Sequence, residues 1–230
     1  MRRREFILGS AATAWSVTAL AQQDERVRRI GVLLPAAADD AEVQIWLAAF
    51  LQALAQLGWT IGRNMRLDIH WATPNATKIR QHAAELAAKA PDVILTGGTS
   101  TTAPMLQATR AVPIVFATVV DPVGAGFIDS LARPGGNATG FLLYEYSLGG
   151  KWLELLKQIA PTVTRVAVLR DASTASGTGQ FAAIQSVAPS LKIDVVPINM
   201  TGCASLLLRS LLGAKRTCRP RREASPSASC

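Results

Sequence analysis

Residues 112–141 read VPIVFATVVDPVGAGFIDSLARPGGNATGF. The first part, an apolar run to Val120 interrupted only by Pro113, carries no charge on either face. A strand apolar on both faces belongs inside a parallel sheet with helices above and below it. Asp121-Pro122 ends the run. Residues 123–131 then predict a short helix, and Arg133-Pro134-Gly135-Gly136-Asn137 a turn into another extended piece. A strand that stops at an acidic residue ahead of a helix is where an open α/β sheet holds a ligand. The fold class is therefore α/β, with Asp121 at its working edge.

Reading outward toward the amino terminus, residues 27–34 (VRRIGVLL) form a strand ended by Pro35. In residues 41–57 the apolar positions Val43, Trp46, Leu47, Phe50, Leu51, Leu54 and Leu57 recur at three- and four-residue steps before Gly58. This predicts an amphipathic helix with Trp46 packed in the core. Residues 64–72 alternate Met65, Leu67, Ile69 and Trp71 with Arg66, Asp68 and His70, the pattern of a strand near the sheet edge. A polar helix follows over 76–90. Residues 92–96 are a buried strand broken at Gly97-Gly98. Thr99, Ser100, Thr101 and Thr102 then lead into a helix with Pro104 in its first turn, where a missing N–H does no harm. These hydroxyls and N–H groups suit either plain capping or the capture of a carboxylate.

Toward the carboxyl terminus the pattern restarts. Residues 147–160 predict a helix with Trp152, Leu155, Leu156 and Ile159 on one face. A strand (165–169), a polar loop (171–179), a helix (181–188) and a strand (192–198) follow. Two α/β runs, 27–142 and 143–200, are thus joined across 142–148, and the second has too few elements to close a lobe like the first.

The ends of the chain differ from its body. The formal charge is +8, but residues 1–21 contribute +2 and residues 201–230 contribute +5, which leaves +1 for the rest. A nucleic-acid partner loses its main support. Arg2-Arg3-Arg4, a weakly apolar stretch and Ala19-Leu20-Ala21 have the layout of a cleavable export signal over 1–21. Arg3-Arg4-Glu5-Phe6-Ile7 resembles the twin-arginine type, with an ordinary secretory signal as the alternative. Either predicts a periplasmic destination. The last thirty residues lack Val, Ile, Phe, Tyr, Trp, Asp and Asn yet hold Cys203, Cys218 and Cys230. They read as a disordered basic tail or as a chain that has left its ancestral frame near Met200.

Catalytic constellations are scarce. His70 and His82 are twelve apart, a spacing that fits no short metal motif, and they read as surface residues without a metal. There is no Gly-x-Ser-x-Gly elbow, Gly97-Gly98 lacks a phosphate-loop lysine, and Gly124-Ala125-Gly126 lacks the full dinucleotide fingerprint, so neither catalytic residues nor a cofactor are expected. Hydrogen-bonding groups without reactivity do recur near strand ends and at the crossover: Thr99, Ser100 and Thr101, Thr118 and Asp121, Tyr144 and Tyr146, Ser173 and Thr174. Such groups orient a small ligand and leave it unchanged.

The start GVLLP, the block ILTGGTSTTAP and above all DPVGAGFIDSLARPGGNATG followed by KWLELLKQIAP resemble the ABC-transporter substrate-binding proteins of the tryptophan/tyrosine type, over residues 27–200. The resemblance implies two Rossmann-like lobes of a type I periplasmic binding protein, the second incomplete, closing on a small molecule such as an amino acid and serving a membrane permease. It implies a carboxylate held at Thr99, Ser100 and Thr101, further contacts at Thr118 and Asp121, with Asp121 either meeting an amine or capping a helix, and second-lobe contacts at Ser173 and Thr174. An exported α/β enzyme and a truncated relic that binds nothing are the competing readings.

Overall fold

The uncharged run becomes strand β4 (Ile114–Val119), flanked on both sides in a five-stranded parallel sheet. The computed structural model describes residues 27–73 and 75–200; the export segment and the tail lie outside them. The other strands are β1 (Arg28–Leu34), β2 (Met65–Trp71), β3 (Val93–Gly97) and β5 (Ala138–Leu142), in the order β2-β1-β3-β4-β5. Sequence order reverses at β1, whose neighbours are β2 and β3, which is the switch point of a doubly wound sheet. As its alternation predicts, β2 is an edge strand paired only with β1.

The helices dress the two faces unequally. α2 (Ala76–Ala88) and α3 (Thr99–Ala108) supply Ile79, Ala83, Leu86, Met105 and Leu106 to a core with Leu33, Ile94, Ile114, Phe116 and Ala138 from one face of the sheet. Burying each large side chain there contributes about 1.5–3 kcal/mol. Over the other face lies α1 (Ala41–Gln56), capped by Asp40, whose Oδ1 accepts the N–H groups of Glu42 and Val43. None of its residues is buried, and Trp46 is 53% exposed. The periodicity located the helix correctly, but Trp46 borders a cleft instead of filling a core.

The chain divides into two units between Leu143 and Tyr144. The second contains α4 (Leu148–Ile159), β6 (Arg165–Arg170), α5 (Ala175–Val187) and β7 (Asp194–Asn199), with β6 and β7 parallel. Its core is Leu153, Ile184, Ala188 and Ile193, against which Leu156, Val166, Val168 and Val195 pack.

Several local expectations are corrected. Residues 123–131 form successive turns and not a helix, because Asp121 Oδ1 and the Asp121 and Pro122 carbonyls take the N–H groups of Gly124, Ala125 and Phe127 individually. α3 starts at Thr99, so Pro104 lies inside the helix and has no N–H to donate to the Ser100 carbonyl. α4 buries Gly149, Gly150 and Leu153, while Trp152, Leu155 and Ile159 remain exposed. α5 begins six residues early, because the Thr174 hydroxyl accepts the Gly177 N–H and caps it there.

Candidate functional site

The carboxyl ends of β3 and β4 bring most of the predicted residues together. Gly98 is the N-cap of α3, with φ 78 and ψ 169, a conformation closed to residues with a β-carbon. Its N–H is held by the Ala117 carbonyl at 2.8 Å, which fixes the end of β3 to β4. The first intrahelical bond runs from the Thr102 N–H to the Gly98 carbonyl, so the N–H groups of Thr99, Ser100 and Thr101 precede the ladder at the positive end of the helix dipole.

The three side chains on that turn do different jobs. Thr101 is fully buried and its hydroxyl donates to the Gly97 carbonyl at 2.6 Å. Thr99 is buried, and its Oγ1 accepts the N–H of Val120 at 3.3 Å. Ser100 is half-buried, and its hydroxyl has none of these internal commitments. Beneath them Thr102 and Thr96 share a buried hydroxyl contact of 2.8 Å. That pair stiffens the turn; Thr102 is one of the hydroxyls the sequence offers for capping, whereas its partner Thr96 carries no such signal.

Two residues at the end of β4 adopt left-handed backbone: Thr118 at φ 57 and Asp121 at φ 43. The first coincides with a bulge. β4 pairs Phe116 with Gly140 and then Val119 with Leu142, so two residues of β4 oppose one of β5. Gly140 allows this, since a β-carbon there would fall on the Phe116 carbonyl. Thr118 is exposed and its hydroxyl donates to the Ala117 carbonyl at 2.7 Å. Asp121 caps the following turn, accepting the Gly124 N–H on Oδ1 at 2.7 Å. Backbone strain of this kind, about 1–3 kcal/mol per residue, gathers at ligand edges.

Beside this edge lies a cavity of about 530 Å³ between α1 and the uncrowded sheet face. Val43, Trp46 and Phe50 line one wall, Leu95, Val115 and Phe141 the other, and Gly97, Gly98 and Thr118 its rim. Its aromatic lining was missed because the periodicity of α1 is that of an ordinary buried face.

In the second unit Tyr144 meets Trp152 edge to face, with ring centroids 5.5 Å apart. Ser173 and Thr174 follow β6. Asp171 Oδ1 accepts both the N–H and the hydroxyl of Ser173, and Thr174 donates to the Asp171 carbonyl while capping α5. These hydroxyls organise a strand-to-helix turn like the one after β3. Tyr146 packs over Gly179.

A parallel sheet with a reversed strand order and a second α/β unit is the architecture of the lobes of type I periplasmic binding proteins. A sequence model of the family described as ABC transporter substrate binding protein matches residues 32–207, and the chain belongs to that family. It is 28% identical over 166 residues to a tyrosine-binding protein of Clostridioides difficile, an alignment covering 71% of this chain and 48% of that one. A conserved domain protein from Vibrio cholerae superposes with a TM-score of 0.68 at 26% identity, over 78% of this chain and 60% of that one. A Streptococcus pneumoniae domain solved with L-Trp shares the fold, with a TM-score of 0.65 at 22% identity over 75% and 57% of the two chains. The chain thus spans about half the length of the curated relative it matches. No helix among the described residues is long and apolar enough to cross a membrane.

Proposed function

We propose that this protein is the exported solute-binding component of an ABC importer, carrying a free amino acid to a membrane permease without altering it. The observation that carries this reading is the start of α3: three N–H groups ahead of the helical ladder, with the half-buried Ser100 hydroxyl among them. That arrangement suits a carboxylate, which gains from both the hydrogen bonds and the helix dipole. In this reading the backbone of Thr99 and Thr101 and the side chain of Ser100 hold the carboxylate, and Thr118 and Asp121 border the amine. Tyr144, Ser173 and Thr174 are the second unit's candidates. The 28% identity to a tyrosine-binding protein supports an amino-acid ligand and makes the aromatic ones the first to try. Residues 1–21 serve as the export signal.

The test is thermal unfolding of the full chain with tyrosine, tryptophan and leucine, with product analysis alongside. A ligand at a hundredfold excess over its Kd adds about 2.7 kcal/mol of stability. The expected result is a shift with at least one amino acid, and recovery of that amino acid unchanged. No shift with any of them favours a chain that binds nothing, and a chemically altered product favours an enzyme.

A further inference from the structure

The two histidines, which the sequence reading left as separate surface residues, meet. His70 lies near the end of β2, and His82 and Glu85 lie one helical turn apart on α2. Three atoms form a closed triangle: His70 Nδ1 to His82 Nδ1 is 3.0 Å, His82 Nδ1 to Glu85 Oε2 is 3.3 Å, and Glu85 Oε2 to His70 Nδ1 is 3.7 Å. In a tetrahedral zinc site with bonds of about 2.0–2.1 Å, neighbouring ligand atoms are about 3.3–3.4 Å apart. The triangle therefore has the size of one face of such a tetrahedron. We propose that His70 Nδ1, His82 Nδ1 and Glu85 Oε2 bind one divalent transition-metal ion of the zinc class.

The surroundings suit that role. Gln81 Nε2 donates to Glu85 Oε1 at 2.8 Å, which orients the carboxylate with Oε2 toward the histidines. A metal on His70 Nδ1 requires a neutral ring with its proton on Nε2, and Asp68 Oδ1 lies 3.5 Å from Nε2 to receive it, the carboxylate–histidine pairing common behind metal ligands. Lys89 Nζ lies 3.3 Å from the same nitrogen and donates to Asp68 Oδ2 at 2.7 Å; a protonated Nε2 cannot accept from it, so metal binding leaves Lys89 donating to Asp68 alone. Side-chain exposure rises from 10% at His70 through 27% at His82 to 43% at Glu85, so an ion can enter from solvent. A cavity of about 490 Å³ bordered by His82, Gln81, Lys78 and Trp71 adjoins one of the three ligands. Two imidazoles and a carboxylate favour zinc, nickel, copper or cobalt over calcium or magnesium. An ion here ties the edge strand β2 to α2.

The experiment uses the full chain with Cys203→Ser, Cys218→Ser and Cys230→Ser, so that thiols contribute nothing. It is stripped with chelator and titrated with Zn2+ alone and then Co2+ alone. One equivalent of either ion is expected, with visible Co2+ absorption free of thiolate charge transfer, and a higher melting temperature in Zn2+ than in chelator. His82→Ala and Glu85→Gln change exposed or half-buried groups, and in chelator both should melt as the parent does. Each should bind Zn2+ at least about tenfold more weakly. The proposal is overturned if the cysteine-free chain takes up no ion, or if both variants bind at parental affinity. Binding of Mg2+ or Ca2+ as tight as that of Zn2+ overturns it equally. If His82→Ala fails to fold, Glu85→Gln and the Co2+ spectrum decide.

Discussion

Thr99 Oγ1 accepts the N–H of Val120 at 3.3 Å, linking the first turn of α3 to the chain leaving β4. Twenty-one residues separate the two in sequence, and the bond lets two strand ends act as one edge. Thr99→Val leaves a buried N–H without its acceptor, which costs about 1–3 kcal/mol. Urea unfolding should show that loss, whereas Thr99→Ser, which keeps the oxygen, should stay within about 0.5 kcal/mol of the parent.

A substitution at Ser100 tests the proposed ligand contact apart from folding. Its hydroxyl bonds to none of the groups that close the turn, so Ser100→Ala should unfold within about 0.5 kcal/mol of the parent. If a carboxylate sits at the start of α3, the same change removes one charge-assisted hydrogen bond, worth about 1.5–3 kcal/mol. Calorimetric titration with the amino acid that gives the largest thermal shift should then show affinity weaker by about tenfold or more.

Asp121 combines a cap with left-handed backbone, and two substitutions divide those roles. Asn keeps a side-chain oxygen for the Gly124 N–H and tolerates φ 43, so Asp121→Asn should leave stability unchanged. Asp121→Ala should lose about 1 kcal/mol through the missing cap. If Asp121 borders the ligand's amine as proposed, Asp121→Asn should nevertheless weaken amino-acid binding, because it removes the negative charge there. Unchanged affinity in that variant would make Asp121 a cap and nothing more.

Gly140→Ala should be the most damaging change at the edge. The new β-carbon would land on the Phe116 carbonyl inside the sheet, where the neighbour is backbone and cannot turn aside. β5 must then move away from β4 and lose ladder bonds beyond the bulge. A cost above about 2 kcal/mol is expected, within the range of overpacking and strain, measurable as a lower urea midpoint at unchanged slope.

Much of this was legible in the residues. β4 followed from an uncharged nine-residue run, β2 from strict alternation, and the edge at the carboxyl end of β4 from Asp121 after a strand. The block of residues 121–140 pointed to the family. What escaped depended on partners remote in sequence. Val123 to Leu131 has helical composition, yet Asp121 and Pro122 take its first N–H groups one by one into turns. Trp46 and Trp152 have the spacing of core residues but lie on faces that their own units leave open. Among the hydroxyls, composition did not separate Thr101, spent on Gly97, from Ser100. His70 and His82 became neighbours only when β2 and α2 packed, which a spacing of twelve does not announce.

The unequal dressing of the five-stranded sheet has a kinetic consequence. α1 has no buried residue to anchor it, whereas β4 holds Ile114, Phe116 and Val119 almost wholly out of solvent. Amide protons of α1 therefore exchange through local openings of low free energy, while those of β4 wait for the whole unit to unfold. One sheet thus carries two exchange clocks, a fast one on its α1 face and a slow one in its interior.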